Sequence, residues 1–205
     1  MKKILLSIVS LILFAGTYSF AGNEKSIANL KEAFKGESTA SAKYAAFALQ
    51  AKKENLNQIA TMFEATSKAE AIHAANHKSV LEKLGQTVEP IKPEFAVKTT
   101  KENLEDAIKG ETYEINTMYP GFIATSKAEA VSGASKSFGW AMDTEKKHQA
   151  IYNNALDALK NNKVTSLPNV YWVCPKCGNT YDVTKPEASC SFCSTSSSKY
   201  LKFGK

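Results

Sequence analysis

Apolar residues recur at helical spacing in four long stretches of the chain, at about 26–53, 56–84, 100–131 and 134–161. Steps of three and four residues place them on one face of a helix, which predicts four amphipathic helices. The links after the first and third stretches are short, whereas the link 85–98 is long and contains two prolines. This pattern predicts an all-α four-helix bundle made of two helical hairpins joined by a crossover.

Local signals place some helix ends. Asn55 is predicted to cap the second helix, and Thr99 or Thr100, followed by Glu102, the third. Pro120 is expected to kink the third helix just past Glu114.

After Asn161 the composition changes to Pro, Ser, aromatic residues and Cys, with a strand-like segment at 169–173. A small, β-rich second domain is therefore predicted to begin near Val164. The chain divides into an export signal at 1–21, the bundle at 22–163 and the small domain at 164–205.

The first 21 residues have the features of an export signal. Lys2 and Lys3 precede an apolar run at 4–15 and a small-x-small cleavage site at 19–21. An uncleaved anchor is the alternative, but the run is shorter than the roughly 20 residues that a spanning helix needs. We therefore expect a mature chain that begins at Gly22, is exported to the periplasm and has no membrane span after cleavage.

The composition is that of a globular protein, with 43% hydrophobic and 22% charged residues in 205. It excludes a disordered tail protein, a collagen-like chain and a polytopic membrane protein. Loss of residues 1–21 removes two lysines and no acid, so the formal charge falls from +6 to +4. With no arginine and the lysines scattered among glutamates, nucleic-acid binding is not expected.

Acidic residues fall on the apolar face of every predicted helix. Two of the three histidines follow a glutamate by three residues, which puts both side chains of each Glu-x-x-His motif on one helix face. Buried carboxylates are costly and repel one another, so such a cluster requires cations. Two Glu-x-x-His motifs with single glutamates from the other helices form the di-metal pattern of ferritin-like bundles. The predicted metal ligands, which are also the candidate catalytic residues, are Glu37, Glu70, His73, Glu111, Glu114, Glu145 and His148.

Oxygen-rich ligation with one imidazole per metal favours iron or manganese over zinc or copper. For any single glutamate, a solvated helix face is the alternative. His77, one turn beyond His73, is predicted to be a hydrogen-bonded or partly exposed residue rather than a ligand. Tyr44 and Tyr119 lie near the carboxylates, and they either donate hydrogen bonds to them or pack as ordinary core residues.

All four cysteines form two Cys-x2-Cys pairs near the C-terminus: Cys174, Cys177, Cys190 and Cys193. Two such knuckles make a tetrahedral thiolate site for iron or zinc. Two disulfides are the alternative that export suggests. However, a segment of about 40 residues without its own core needs a cross-link that joins both cysteine pairs at once, as a metal does. Two pairs outside a βαβ context disfavour a thioredoxin-like redox site.

Together these motifs resemble the rubrerythrin family, in which a ferritin-like di-iron bundle is followed by a rubredoxin-like iron–tetrathiolate domain. The segment 109–122, KGETYEINTMYPGF, is similar to the family's third helix. The resemblance implies two non-haem irons in the bundle, with His73 replacing Glu114 on one iron when the site is reduced. It also implies one iron at the four cysteines. Ser191 and Ser194 depart from the family's usual residues, which leaves zinc as the alternative at that site.

The resemblance further implies an enzyme, a peroxidase that reduces hydrogen peroxide to water in oxidative-stress protection, with electrons relayed through the thiolate iron. Family members are at least dimers, with the thiolate centre of one subunit near the di-iron site of the other, so a homodimer or larger homo-oligomer is expected. The alternatives are a ferroxidase or iron-handling protein and a non-catalytic metal-stabilised scaffold. Export separates the chain from NADH, so the donor must be another, unidentified electron carrier.

Overall fold

Helices make up most of the computed structural model, which describes residues 22–205. The predicted export signal at 1–21 lies outside them. The helices are α1 (Glu24–Lys53), α2 (Asn57–Lys83), α3 (Thr100–Tyr113), α4 (Tyr119–Ala128) and α5 (Ser132–Lys160). Since α3 and α4 together occupy the third predicted stretch, the four-helix prediction is confirmed. Within residues 22–205, no helix combines the length and apolar character needed to cross a membrane.

The third stretch is interrupted by a π-helical turn at Glu114–Met118 rather than by a simple proline kink. Pro120 lies in the first turn of α4, directly after this π turn. The sequence thus located the irregularity, but its form is a π turn. Turns of this kind inside helices are frequent at functional sites.

The two cap predictions have opposite outcomes. Thr99 forms a capping box with Glu102: the Glu102 backbone N–H donates to Thr99 Oγ1 (3.3 Å), and the Thr99 N–H donates to Glu102 Oε2 (3.2 Å). The prediction for Asn55 is wrong, because Leu56 holds the cap position of α2. Asn55 instead has a φ of 60°, and the Leu56 N–H donates to the Ala51 carbonyl (2.9 Å), so Asn55 terminates α1.

Two apolar clusters fill the bundle. One contains Phe47, Phe63 and Tyr152, and the other contains Leu30 and Phe138. Along each helical stretch, the predicted ligands lie between residues of one cluster and residues of the other. The polar site therefore occupies the middle of the bundle, held by apolar packing on both sides.

The C-terminal segment forms a three-stranded antiparallel sheet in the order β2, β1, β3. The strands are β1 (Val170–Val173), β2 (Thr180–Tyr181) and β3 (Leu201–Gly204). Strand β1 confirms the predicted strand, and Tyr171 and Val173 on it are buried in the same apolar cluster as Phe63. The small domain therefore shares a core with the bundle, and the division at 163/164 stays a prediction.

Candidate metal centres

Six of the seven predicted bundle ligands meet in the middle of the bundle. They come from α1, α2, α3 and α5, and each is at most 2% exposed: Glu37, Glu70, His73, Glu111, Glu145 and His148. The stepping by three and four residues in each helix turns these side chains inward with their apolar neighbours.

The ligand atoms form two groups of four, each with its atoms within 4.8 Å of one another. One group is Glu37, Glu70, His73 and Glu145, and the other is Glu70, Glu111, Glu145 and His148.

Glu70 and Glu145 belong to both groups, with one oxygen turned to each imidazole. His73 Nδ1 lies 2.9 Å from Glu70 Oε2 and 2.9 Å from Glu145 Oε1. His148 Nδ1 lies 3.0 Å from Glu70 Oε1 and 2.7 Å from Glu145 Oε2. Glu70 and Glu145 could therefore each offer one oxygen to either of two adjacent metal ions.

Buried polar atoms support that arrangement. Both oxygens of Glu70, both oxygens of Glu145 and the Nδ1 atoms of His73 and His148 are buried and face one another, and none of them has a hydrogen-bond partner outside this cluster among the described residues. An unpartnered buried polar atom costs about 1–3 kcal/mol, and more if it is charged. Metal ions would satisfy all of these atoms at once, and a donor set of carboxylates with one imidazole per ion suits iron.

The charges of the buried side chains also favour the binding of cations at this site. Burial opposes the protonation of His148, but the facing carboxylates of Glu70 and Glu145 outweigh it and raise its pKa to about 9. Burial also opposes the charging of His73, and Glu145 in the same way raises its pKa well above the usual range. Burial and the charge of Glu145 raise the pKa of Glu111. These shifts mean that the cluster binds protons more tightly than the isolated side chains do, so metal binding would displace protons.

Glu114 is the exception among the predicted ligands. It begins the π turn, is only partly buried, and belongs to neither ligand group. Burial and the nearby charge of Glu37 raise the pKa of its carboxyl well above the usual range. The sequence predicted Glu114 as a ligand together with the other six residues, whereas in the structure it lies outside both ligand groups.

Hydrogen bonds from residues outside the two ligand groups orient Glu37 and Glu111, the terminal carboxylates, each of which belongs to only one group. Tyr44 donates its hydroxyl to Glu111 Oε1 (2.8 Å), and Tyr119 donates its hydroxyl to Glu37 Oε1. His77 is fully buried, with Nε2 3.2 Å from the Tyr119 hydroxyl and Nδ1 2.8 Å from Ser137 Oγ. Tyr44 and Tyr119 therefore both pack in the core and donate hydrogen bonds, and His77 is hydrogen-bonded, as predicted.

Thr180, a residue that sequence reasoning missed, fixes the tautomer of His148 from the small domain. Its Oγ1 lies 2.9 Å from His148 Nε2 and donates to the Gly178 carbonyl (3.1 Å). A carbonyl only accepts, so the Thr180 oxygen must accept from His148 Nε2–H. Nδ1 of His148 then faces the ligand group, and it offers its lone pair to a metal once its own proton is displaced.

Gly178 brings the cysteine knuckle against the other imidazole. A Cβ atom at this position would lie 2.3 Å from His73 Nε2, and the backbone φ is +81°. Only glycine meets both conditions. Neither Gly178 nor Thr180 has a local signal for this role, because both contacts arise from docking of the small domain.

The four cysteines form a second centre and make no disulfide. The sulfurs of Cys174 and Cys193 are 3.5 Å apart, as are those of Cys177 and Cys190. A disulfide needs about 2.05 Å, whereas a tetrahedron with metal–sulfur bonds of about 2.3 Å needs sulfurs about 3.8 Å apart. The hydrogen bond between Cys177 and Cys174 lowers the pKa of Cys174 to about 4 and raises the pKa of Cys177, so the two sulfurs share a proton that metal binding would displace.

Comparisons with known proteins agree with these two centres. The protein-family model described as rubrerythrin matches residues 28–156. Rubrerythrin-2 of Clostridium acetobutylicum is 33% identical over 175 residues, which cover 85% of this chain and 94% of that protein. Nigerythrin of Nitratidesulfovibrio vulgaris is 36% identical over 156 residues, 73% of each chain. A solved structure of fully reduced, all-ferrous nigerythrin is similar at a TM-score of 0.78 and 30% identity, covering 86% of each chain.

Proposed function

The chain belongs to the rubrerythrin family, and we propose that it is a peroxidase that reduces hydrogen peroxide to water. Membership supports the coarser conclusion directly: a di-iron oxidoreductase of oxidative-stress defence, with an iron site at the four cysteines. The peroxidase reaction, the role of each site residue and the route of the electrons are parts of the proposal.

The observation that carries the proposal is the pair of ligand groups that share Glu70 and Glu145. Two ferrous ions held side by side there would supply the two electrons with which hydrogen peroxide and two protons become two water molecules. Glu70 and Glu145 would hold both ions, while His73 and His148 would each hold one. Tyr44 and Tyr119 keep the terminal carboxylates Glu111 and Glu37 in place.

His73 and Glu114 are the pair that we propose exchanges with the oxidation state. His73 is inside a ligand group and Glu114 outside, the arrangement that the resemblance associates with the reduced site. Glu114 begins the π turn at Glu114–Met118, and such turns inside α-helices are frequent at functional sites.

Electrons would reach the bundle from the cysteine centre. The knuckle that follows Cys177 touches both imidazoles, through Gly178 at His73 and Thr180 at His148. The family resemblance placed this contact between two subunits, whereas here it lies within one chain. We retain as proposals a homodimer, export to the periplasm, and an unidentified one-electron carrier as donor.

The test is to purify the protein with its native metals, reduce it without oxygen and add hydrogen peroxide. We expect about three irons per chain, visible thiolate-to-iron absorption that bleaches on reduction, and one peroxide consumed for every two electrons. Zinc in both sites would refute the proposal. If peroxide reoxidises the bundle irons but no donor re-reduces them through the cysteine centre, a ferroxidase takes its place.

Glu114→Ala tests the exchange, with Glu105→Ala, an exposed residue of α3, as its control. Glu114→Ala should lower peroxide turnover much more than the melting temperature, while Glu105→Ala should change neither. Unchanged turnover in Glu114→Ala would count against the exchange.

A further inference from the structure

A lysine of the bundle enters the small domain next to the cysteine centre. Lys147 lies on α5 between Glu145 and His148, but its half-buried side chain leaves the bundle. Its Nζ lies 4.5 Å from the centre of the Tyr181 ring and 4.8 Å from that of Phe192. Two aromatic faces at these distances stabilise a cation, so the structure holds the charge in one place.

Asn179 connects this cation to a cysteine sulfur. Lys147 Nζ donates to Asn179 Oδ1 (2.6 Å), and Asn179 Nδ2 donates to Cys190 Sγ at 3.6 Å. Asn179 is fully buried, and its Nδ2 also lies 2.8 Å from the Tyr181 hydroxyl and 3.3 Å from Ser191 Oγ, so its two protons are shared among these two oxygens and the sulfur. A cation on the carbonyl oxygen of an amide polarises the amide, which strengthens the donation from its NH₂ group to sulfur.

We propose that Lys147 raises the reduction potential of the tetrathiolate iron and so makes this centre easier to reduce. Four thiolates with ferric iron carry a net charge of −1, and with ferrous iron −2. A nearby positive charge and N–H···S hydrogen bonds stabilise the more negative, reduced state. The inference rests on the part of the proposed function that puts iron at the cysteines, and it makes Lys147 a positioning and tuning residue, not a catalytic one.

Because Lys147 lies on α5, its effect on the reduction potential depends on the contact between the bundle and the small domain. The positive charge belongs to the bundle, and the sulfurs belong to the small domain. The cysteine centre therefore has its raised potential only while the small domain is docked on α5. Docking also brings Gly178 to His73 and Thr180 to His148, so one contact surface sets the potential and joins the two centres.

The test is a redox titration of the visible thiolate-to-iron absorption in the full-length protein, without peroxide. Lys147→Gln keeps a hydrogen-bond donor for Asn179 but removes the charge. We expect it to shift the one-electron equilibrium toward ferric iron by about tenfold, which lowers the potential by about 59 mV. Lys147→Arg keeps the charge and should stay near the wild-type potential.

Lys146→Gln is the matched control, because it removes the same charge from the next residue. Lys146 is exposed and pairs with Asp143 (2.8 Å) instead of facing the cysteines, so its loss should leave the potential unchanged. The inference is overturned by an unchanged potential in Lys147→Gln, by an equal drop in Lys146→Gln or in Lys147→Arg, or by a cysteine site that accepts only zinc. Peroxide turnover is measured separately, so a lowered potential without peroxidase activity would refute the proposed function and leave this inference standing.

Discussion

The two metal centres are built in opposite ways. The bundle centre gathers six buried side chains from residues 37 to 148, on helices that have apolar clusters on both sides of it. The cysteine centre takes all its ligands from residues 174 to 193, and its fully or largely buried core consists of three of the cysteines and Tyr200. The bundle centre lies in a fold that already has a hydrophobic core. The cysteine centre, in contrast, forms much of the core of the segment around it.

This difference decides what each metal does for stability. In the bundle, apolar packing already orders the helices, so the ions mainly relieve repulsion among buried carboxylates. In the small domain, β1 and β3 pack against the core of the bundle, but the part around the cysteines encloses little apolar surface, so there the metal takes the place of a hydrophobic core. The predictions below test this contrast.

The largest effect is expected from metal removal at the cysteines. Cys177→Ser should abolish the visible absorption and unfold much of 174–200, because structural thiolate sites contribute about 10–16 kcal/mol to folding. The helical circular dichroism of the bundle should remain. Hydrogen exchange measures both regions, and Glu70→Gln is the control, since it should release metal from the bundle while the small domain stays protected. Loss of the helices in Cys177→Ser would contradict the contrast.

Phe63→Ala tests the opposite region. Phe63 is fully buried and packs 5.5 Å from Phe47 and 5.4 Å from Tyr152, measured between ring centres. Its truncation should lower the free energy of unfolding by about 3–5 kcal/mol in denaturant titrations. Phe95→Ala, in the exposed link between α2 and α3, should change it little. A loss below about 1 kcal/mol would mean that metals and not packing hold the bundle.

Thr180→Val tests the connection between the regions. Valine has the size of threonine but cannot accept from His148 Nε2–H, so the bundle should bind iron about 10- to 100-fold more weakly. The cysteine centre should keep its spectrum. Thr184→Val, an exposed change in the same domain, is the control for metal titrations. Equal iron affinity in both variants would show that Thr180 does not orient His148.

The smallest effect concerns neither centre. Thr99→Ala removes the capping box of α3 and should lower the free energy of unfolding by about 1 kcal/mol. Metal content should not change. Glu102→Ala, which removes the other half of the box, should have a similar or smaller effect; a loss of iron in either variant would mean that the start of α3 positions Glu111.

Much of the bundle was predictable because its pattern is local. A helix fixes which residues share a face, so Glu70 and His73 could be paired from their spacing alone, as could Glu145 and His148. The cysteine site was predictable for the same reason, since two Cys-x2-Cys knuckles carry their own geometry. Asn55 failed as a cap because asparagine suits both a helix start and a left-handed helix end, and nothing local separates the two.

The sequence by itself predicted the four helices, the candidate ligands of two metal sites and the resemblance to a family, since periodicity and spacing decide which residues share a helix face or a knuckle before the chain folds. Only the tertiary structure decided that Glu114 stays outside both ligand groups and that Thr180, Gly178 and Lys147 join the two centres. These contacts link residues that lie on separate elements. They depend on how the small domain docks against α2 and α5, and no short-range pattern in the sequence records that docking.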